Sequence, residues 1–320
     1  MQDILYMIAG LVILVIGGEG VVRGSVSVAK ALGLSTLLIS VVIVGFGTSM
    51  PELVVSVQAA FAGAPDISLG NVVGSNICNT VLVLGAASVI FPICCKSTAI
   101  KRDILVGILA ALSLALISFL DEINRIAGIA MFGSLAAYLA YCVWHDKKVV
   151  KSNKHKAHEI EIADEVDEFS YKMIVALPMA IFGIAMLMGG AKLLVMGATS
   201  IAEKCGVSEA VIGLTVIALG TSLPELATAI VAARKKHSDV IIGNILGSNL
   251  FNILAILGIT SIITPISYKG QIAEQDVWIM LAIVTLLAPI SFIWKKIGRT
   301  SGALLLTLYV GYIGYLAMGI

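Results

Sequence analysis

Glu52 and Glu225 each close the same short phrase inside an apolar run, Gly47-Thr48-Ser49-Met50-Pro51-Glu52 and Gly220-Thr221-Ser222-Leu223-Pro224-Glu225. A carboxylate in such surroundings is costly to bury and is by default a functional group. The hydroxyls beside it, and the proline that removes a backbone donor, add further oxygen ligands. Downstream of each phrase lies an amide-rich run, with Asn71, Ser75, Asn76 and Asn79 after the first and Asn244, Ser248, Asn249 and Asn252 after the second. On a helix, Asn71, Ser75 and Asn79 fall at i, i+4 and i+8 and drift by only about 40° per step, so they form one polar stripe. Asn244, Ser248 and Asn252 repeat it. The inventory of carboxylate, hydroxyl, amide oxygen and freed backbone carbonyl (from Gly45 and Ala218 onward) is made of hard oxygen donors. Such a set suits Ca²⁺, or Na⁺ of similar radius, better than zinc or copper.

Each group also has a structural reading. Ser49-x-x-Glu52 and Ser222-x-x-Glu225 have the form of a capping box at a helix start. Gly70-x-x-x-Gly74 and Gly243-x-x-x-Gly247 have the form of close-packing faces, with the amides joining helices. Asn79 and Asn252 are read as ligands; Asn71, Asn76, Asn244 and Asn249 are read as packing groups, and one residue can serve both ends. Glu19 and Arg23, at i and i+4, are read as a structural pair, with Lys192 at the position matching Glu19.

These residues need elements to hold them in place. The 320-residue chain is 59% hydrophobic and 13% charged, with a mean hydropathy of +1.03. A soluble domain carries about 25% charged residues, so most of this chain must face lipid. Stretches long enough to cross a bilayer, about 20 residues each, lie near 4–28, 34–61, 66–91, 103–120 and 124–144. After a polar loop at 145–170, five more lie near 171–202, 207–233, 239–264, 276–294 and 301–319. The expected fold is an all-α polytopic membrane protein of ten helices. The prolines should break the second and seventh into half-helices that meet inside the membrane, which is tolerated only where the break lines a cavity or is buried in protein.

Shifting residues 47–93 by 173 positions lays them on 220–266 without gaps, and 21 of the 47 pairs are identical. Shared apolar bias cannot produce the matched Thr, Ser, Pro, Glu and Asn. The first repeat is assigned to 1–144 (core 34–93), the linker to 145–170 and the second repeat to 171–320 (core 207–266). Five crossings is an odd number, so the second copy enters from the opposite face and the halves are inverted repeats. With the 145–170 loop cytoplasmic, sixteen Lys and Arg gather on that side and only Arg125, Lys204 and Lys269 on the other. The positive-inside rule then places both termini outside, in a cell membrane.

Other features exclude functions. No basic stripe with interleaved aromatics points to nucleic acid. The five cysteines form no CxxC pair and are read as buried, inert thiols. The start of the chain lacks a basic n-region, so residues 4–28 are read as a retained span. The loop runs from basic to acidic and holds His145, His155 and His158 at no ligand spacing, as a solvated linker would. No nucleophile–base set and no His-Glu-x-x-His is present, so an enzyme is not expected.

Gly-Thr-Ser-x-Pro-Glu followed by Gly-Asn-x-x-Gly-Ser-Asn-x-x-Asn, present twice, resembles the two alpha repeats of the calcium/cation antiporter superfamily, in its sodium/calcium exchanger branch and prokaryotic members. The resemblance spans essentially the whole chain. It implies alternating access, with the first and sixth helices sliding past an eight-helix core. It implies that Glu52 and Glu225 are central ligands, surrounded by Thr48, Ser49, Ser75 and Asn79 and by Thr221, Ser222, Ser248 and Asn252. The carbonyls of Gly45 and Ala218 match backbone ligands. Proton-coupled members carry Gly-Asn-x-x-Glu in place of this phrase, and potassium-dependent members carry Asp at the position of Asn252; both departures point to sodium. The expectation is a monomeric antiporter in the lipid bilayer exchanging Ca²⁺ for Na⁺, electrogenic if three Na⁺ replace one Ca²⁺, with no resident cofactor. The alternative is a proton/calcium antiporter on the same scaffold. A cation channel would need a continuous polar pore.

Overall fold

The structure, a computed structural model, describes residues 2–64, 66–117, 119–120, 122–153, 171–205, 218–268 and 272–318. The first half runs α1 (Gln2–Leu32), α2 (Thr36–Thr48), α3 (Met50–Phe61), α4 (Ile67–Ile90), β1 (Ile93–Cys94), α5 (Thr98–Ile117), β2 (Glu122–Ile123) and α6 (Arg125–Asn153). The second runs α7 (Met173–Lys204), α8 (Ala218–Thr221), α9 (Leu223–Arg234), α10 (Ser238–Ile263), β3 (Ile266–Ser267), α11 (Ile272–Trp294), β4 (Lys296–Ile297) and α12 (Arg299–Met318). The two-residue strands cross between halves, β1 antiparallel to β4 and β2 to β3.

Among the described residues six helices are long and apolar enough to cross a membrane, or seven if the bent pair α2–α3 counts as one span. The helices α5 and α12 occupy the fourth and tenth expected stretches. The first part of the seventh stretch, 207–217, lies outside the described residues, as do His155, His158 and most of the expected linker. Residues 145–153 do not belong to a loop, because α6 continues through them. Asp146 on that extension accepts the backbone N–H of Ser35 at 2.7 Å, while Ser35 Oγ accepts from Leu38. The start of α2 is thus capped twice, with a carboxylate at the positive end of the helix.

At the centre lies α10, buried throughout residues 240–258, with most of α4 buried beside it. Their side chains share one apolar core with those of α5, α9 and α11. Against this core α1 and α7 lie antiparallel, joined by glycines seven residues apart. A Cβ on Gly10 would lie 2.7 Å from the Gly190 carbonyl oxygen, and one on Gly17 would lie 2.9 Å from that of Gly183. Where no side chain intervenes, helix backbones approach this closely and dispersion between them replaces the hydrophobic drive that lipid does not supply. The cysteines divide: Cys78, Cys95 and Cys142 are buried as expected, whereas Cys94 and Cys205, near helix ends, are exposed.

Candidate functional site

The break falls where the prolines require it. Ser49 adopts φ −83°, ψ 5°, and α2 and α3 meet at 45°. Ser222, between α8 and α9, adopts φ −87°, ψ 4°. Pro51 and Pro224 stand in the first turn of the helices that follow, where a missing N–H costs nothing. Glu52 and Glu225 therefore project from the first turns of α3 and α9, and both are wholly buried.

The capping-box expectation is corrected here, because neither Ser49 nor Ser222 caps its own helix. Ser49 instead sends its hydroxyl across the molecule to Glu225 Oε1 at 3.4 Å. Ser248 donates to the same oxygen at 3.4 Å, and Ser75 donates to Glu52 Oε1 at 3.4 Å. Thr221 stands beside Glu52. Thr48 donates to the carbonyl of Val44 at 3.0 Å and lies 3.0 Å from Asn244 Oδ1 and 3.2 Å from Ser248 Oγ. The carbonyl of Gly45 lies 3.2 Å from Ser248 Oγ. Each carboxylate is thus dressed by hydroxyls from both halves of the chain.

Asn71 and Asn244 donate to the backbone carbonyls of Glu52 and Glu225, at 3.0 and 3.4 Å, which fixes the stripe helices against the breaks. A second amide set crosses between α4 and α10. Asn252 donates to Asn76 Oδ1 at 2.9 Å, Asn76 to the carbonyl of Asn249 at 3.2 Å, and Asn249 to Thr80 Oγ1 at 2.9 Å. Thr80 could not be found from the repeat, because its partner at the 173 offset is Ile253.

Among the described residues, Glu52 Oε2, Glu225 Oε2, Ser222 Oγ, both amide atoms of Asn79 and Oδ1 of Asn252 are buried and have no hydrogen-bond partner. A native interior holds few such atoms, since each costs about 1–3 kcal/mol if nothing binds it. Others lie elsewhere, at Ser25, Thr199 and Asp276 among them, but these six belong to the two break phrases and the two polar stripes and, apart from one amide nitrogen, all are oxygens. That donor set fits a hard cation. Ala218, whose carbonyl was expected to join them, begins α8.

The helices also bulge at the site. α2 is π-helical over Ser40–Gly45, α4 over Asn79–Val83 and α10 over Phe251–Ile256. The wide turns start at Asn79, include Asn252 and end at Gly45. A π turn inserts one residue and re-aims the side chains around it, and is often found at functional positions. Nothing in residue type announces one, so spacing alone missed all three.

Asn252→Asp tests this geometry. It removes the donor to Asn76 and sets two acceptors face to face, so it is expected to lower the melting temperature of the ion-free protein in detergent by several degrees, from a loss of about 1–3 kcal/mol. Saturating Ca²⁺ should restore part of that, because the new carboxylate gains a cation.

A family model described as sodium/calcium exchanger protein matches residues 3–144 and 175–318. The putative antiporter CaxA of Alkalimonas amylolytica is 35% identical over 312 residues, covering 96% of each chain. The sodium/calcium exchanger MaX1 of Methanosarcina acetivorans is 30% identical over 344 residues, covering 97% of each. Among solved structures, the sodium-calcium exchanger NCX_Mj, in a crystal soaked without Na⁺ and Ca²⁺, superposes with a TM-score of 0.84 at 30% identity, over 98% of this chain and 99% of that one.

Proposed function

This chain belongs to the sodium/calcium exchanger protein family, and from that premise we propose that its buried carboxylate pair is the place where Ca²⁺ and Na⁺ replace one another. The protein is a multi-pass membrane antiporter exchanging Ca²⁺ for Na⁺, and not an enzyme. The observation that carries the site is the pair of wholly buried glutamates, each with one oxygen held by hydroxyls and the other without a partner among the described residues. Glu52 and Glu225 supply the charge. Thr48, Ser49, Ser75 and Asn79, and Thr221, Ser222, Ser248 and Asn252, supply neutral oxygens, with the carbonyls of Gly45 and Ala218. Two carboxylates this close repel one another when no cation lies between them. The site is therefore held by one Ca²⁺ or by competing Na⁺ ions, which couples the movement of one to the other.

The chain is organised as ten spans in two inverted five-helix repeats, 1–144 and 171–320, with 145–170 between them. The contacts of α1 and α7 support this, because Gly10–Gly190 and Gly17–Gly183 exchange places under the 173-residue offset, as a two-fold relation in the membrane plane requires. The pairing of β1 with β4 and of β3 with β2 follows the same pattern. The excess of Lys and Arg supports a cytoplasmic position for the ends of α1, α4, α6, α9 and α11, with both termini on the opposite face. The unit is a monomer, and exchange of three Na⁺ for one Ca²⁺ moves net charge.

Proteoliposomes loaded with Na⁺ and diluted into Na⁺-free buffer containing Ca²⁺ should take up Ca²⁺, and an imposed membrane potential should change the rate. Uptake driven by a pH gradient and indifferent to Na⁺ would overturn the sodium assignment.

A further inference from the structure

The α1/α7 pair stands apart from the rest of the molecule in how it is packed. To the shared apolar core α1 gives only Val22 and Val26, and α7 gives none of its buried side chains. Leu187 and Ala191 of α7 sit in a small cluster with Leu14 and Val21 of α1 and Val44 of α2, and Ala176 sits in another with Val28, Ala29 and Ile39. The pair is thus knit together by backbone contact, and it meets the rest of the molecule through Val22 and Val26 and two small apolar patches.

A polar tie crosses one of those boundaries. Glu19 of α1 accepts from Lys235, which follows the last residue of α9, at 2.7 Å. It also accepts from Arg23, one turn further along α1, at 2.5 Å. Lys235 is ten residues beyond Glu225, at the C-cap of the same short helix and about 15 Å along its axis, so the tie connects α1 to the element that carries a site carboxylate. It is half-buried, with 32% of the Glu19 side chain and 18% of the Lys235 side chain exposed. It also has no counterpart in the other repeat: at the 173 offset Glu19 becomes Lys192, Arg23 becomes Met196 and Lys235 becomes Ala62. The ion pair near the opposite end, Lys204 with Asp3 at 2.5 Å, joins α7 to α1 and so stays within the pair.

We propose that the Glu19–Lys235 ion pair is a one-sided latch that holds the α1/α7 pair against α9 and must open before the central site can face the cytoplasm. The proposal rests on the antiport reading for the need to alternate, and on the geometry for the latch. Glu19 is a positioning residue: it touches no transported ion, and it acts by setting how often the cytoplasmic side opens. Because the fold is two-fold and the latch is not, it biases access toward the outer face. Thr228 can report the opening, since it is wholly buried one turn past Glu225 toward Lys235, with a hydroxyl that has no partner among the described residues.

The test uses the full chain in liposomes, with native cysteines replaced, Thr228→Cys introduced and a membrane-impermeant maleimide applied to the cytoplasmic face. Glu19→Gln and Lys235→Met should each raise the labelling rate by about two- to five-fold, the shift that losing a half-exposed ion pair produces. The double variant should do no more than either single one, and Lys235→Arg should label at the parent rate. In the chain with its own cysteines, Glu19→Gln should lower the apparent KM for Ca²⁺ at the cytoplasmic face and raise it at the outer face. Unchanged labelling with an unchanged KM ratio would overturn the latch, as would effects that multiply in the double variant. A wild-type protein that exchanges no Ca²⁺ for Na⁺, yet whose labelling still answers to Glu19, would overturn the antiport reading and leave the latch standing.

Discussion

Glu52→Gln and Glu225→Gln are each expected to weaken Ca²⁺ binding by about 150- to 5,000-fold, the equivalent of the roughly 3–5 kcal/mol lost when one partner of a buried charged set is removed. Gln keeps the size of the side chain and one acceptor oxygen, so the loss isolates charge from shape. A divalent ion left with one carboxylate is short of a full charge in a site that water does not screen. A monovalent ion is not, so Na⁺ binding should fall by a smaller factor and the selectivity should tilt toward Na⁺. The two variants should resemble one another, because each carboxylate takes hydroxyl donors at the same 3.4 Å. The measurements are Ca²⁺ and Na⁺ titrations in detergent and Na⁺-driven Ca²⁺ uptake in liposomes. Retention of wild-type uptake by either variant would remove that glutamate from the site.

The site was legible in the sequence to the extent that its chemistry is local. Pro51 and Pro224 fix where the helices break, and a carboxylate three residues beyond a break enters whatever the break lines. The 173-residue offset then doubled each finding and supplied the facing residues. Two things were not legible. One is where a hydroxyl points: Ser49 and Ser222 carry the pattern of caps, yet Ser49 turns to a carboxylate 176 positions away, because that burial leaves a charged oxygen needing a donor more than it leaves a helix end needing an acceptor. The other is the π turns at Gly45, Asn79 and Asn252, which answer to tertiary fit between close-packed helices and leave no mark in residue type. The asymmetric parts, Thr80 and the Glu19–Lys235 tie, escaped for a related reason: a reading built on the repeat finds what is shared between halves.

Gly247→Val should lower Ca²⁺ affinity by about 10- to 100-fold without touching a ligand, because the site depends on backbone crossing backbone and tolerates displacements of only about 0.5 Å. A Cβ on Gly247 would lie 2.6 Å from the carbonyl oxygen of Val41, and one on Gly45 would lie 2.8 Å from the backbone nitrogen of Ser248. Backbone cannot swing aside as a side-chain tip can, so α2 and α10 must separate. The first interactions to stretch are those spanning the crossing, Ser248 Oγ with the Gly45 carbonyl at 3.2 Å and with Thr48 Oγ1 at 3.2 Å. Ser248 also donates to Glu225, so the shift reaches a carboxylate through one residue. The substitution should also cost about 1–3 kcal/mol of stability from overpacking. Gly189→Ala is the control: it lies on α7 with no atom of the described residues within 4 Å of an added Cβ, and it should leave affinity unchanged while gaining a little helix propensity. Thermal melting and Ca²⁺ titration on both variants separate the two effects. If Gly247→Val melts lower but binds Ca²⁺ as the parent does, the crossing only supports the fold and does not set the geometry of the site.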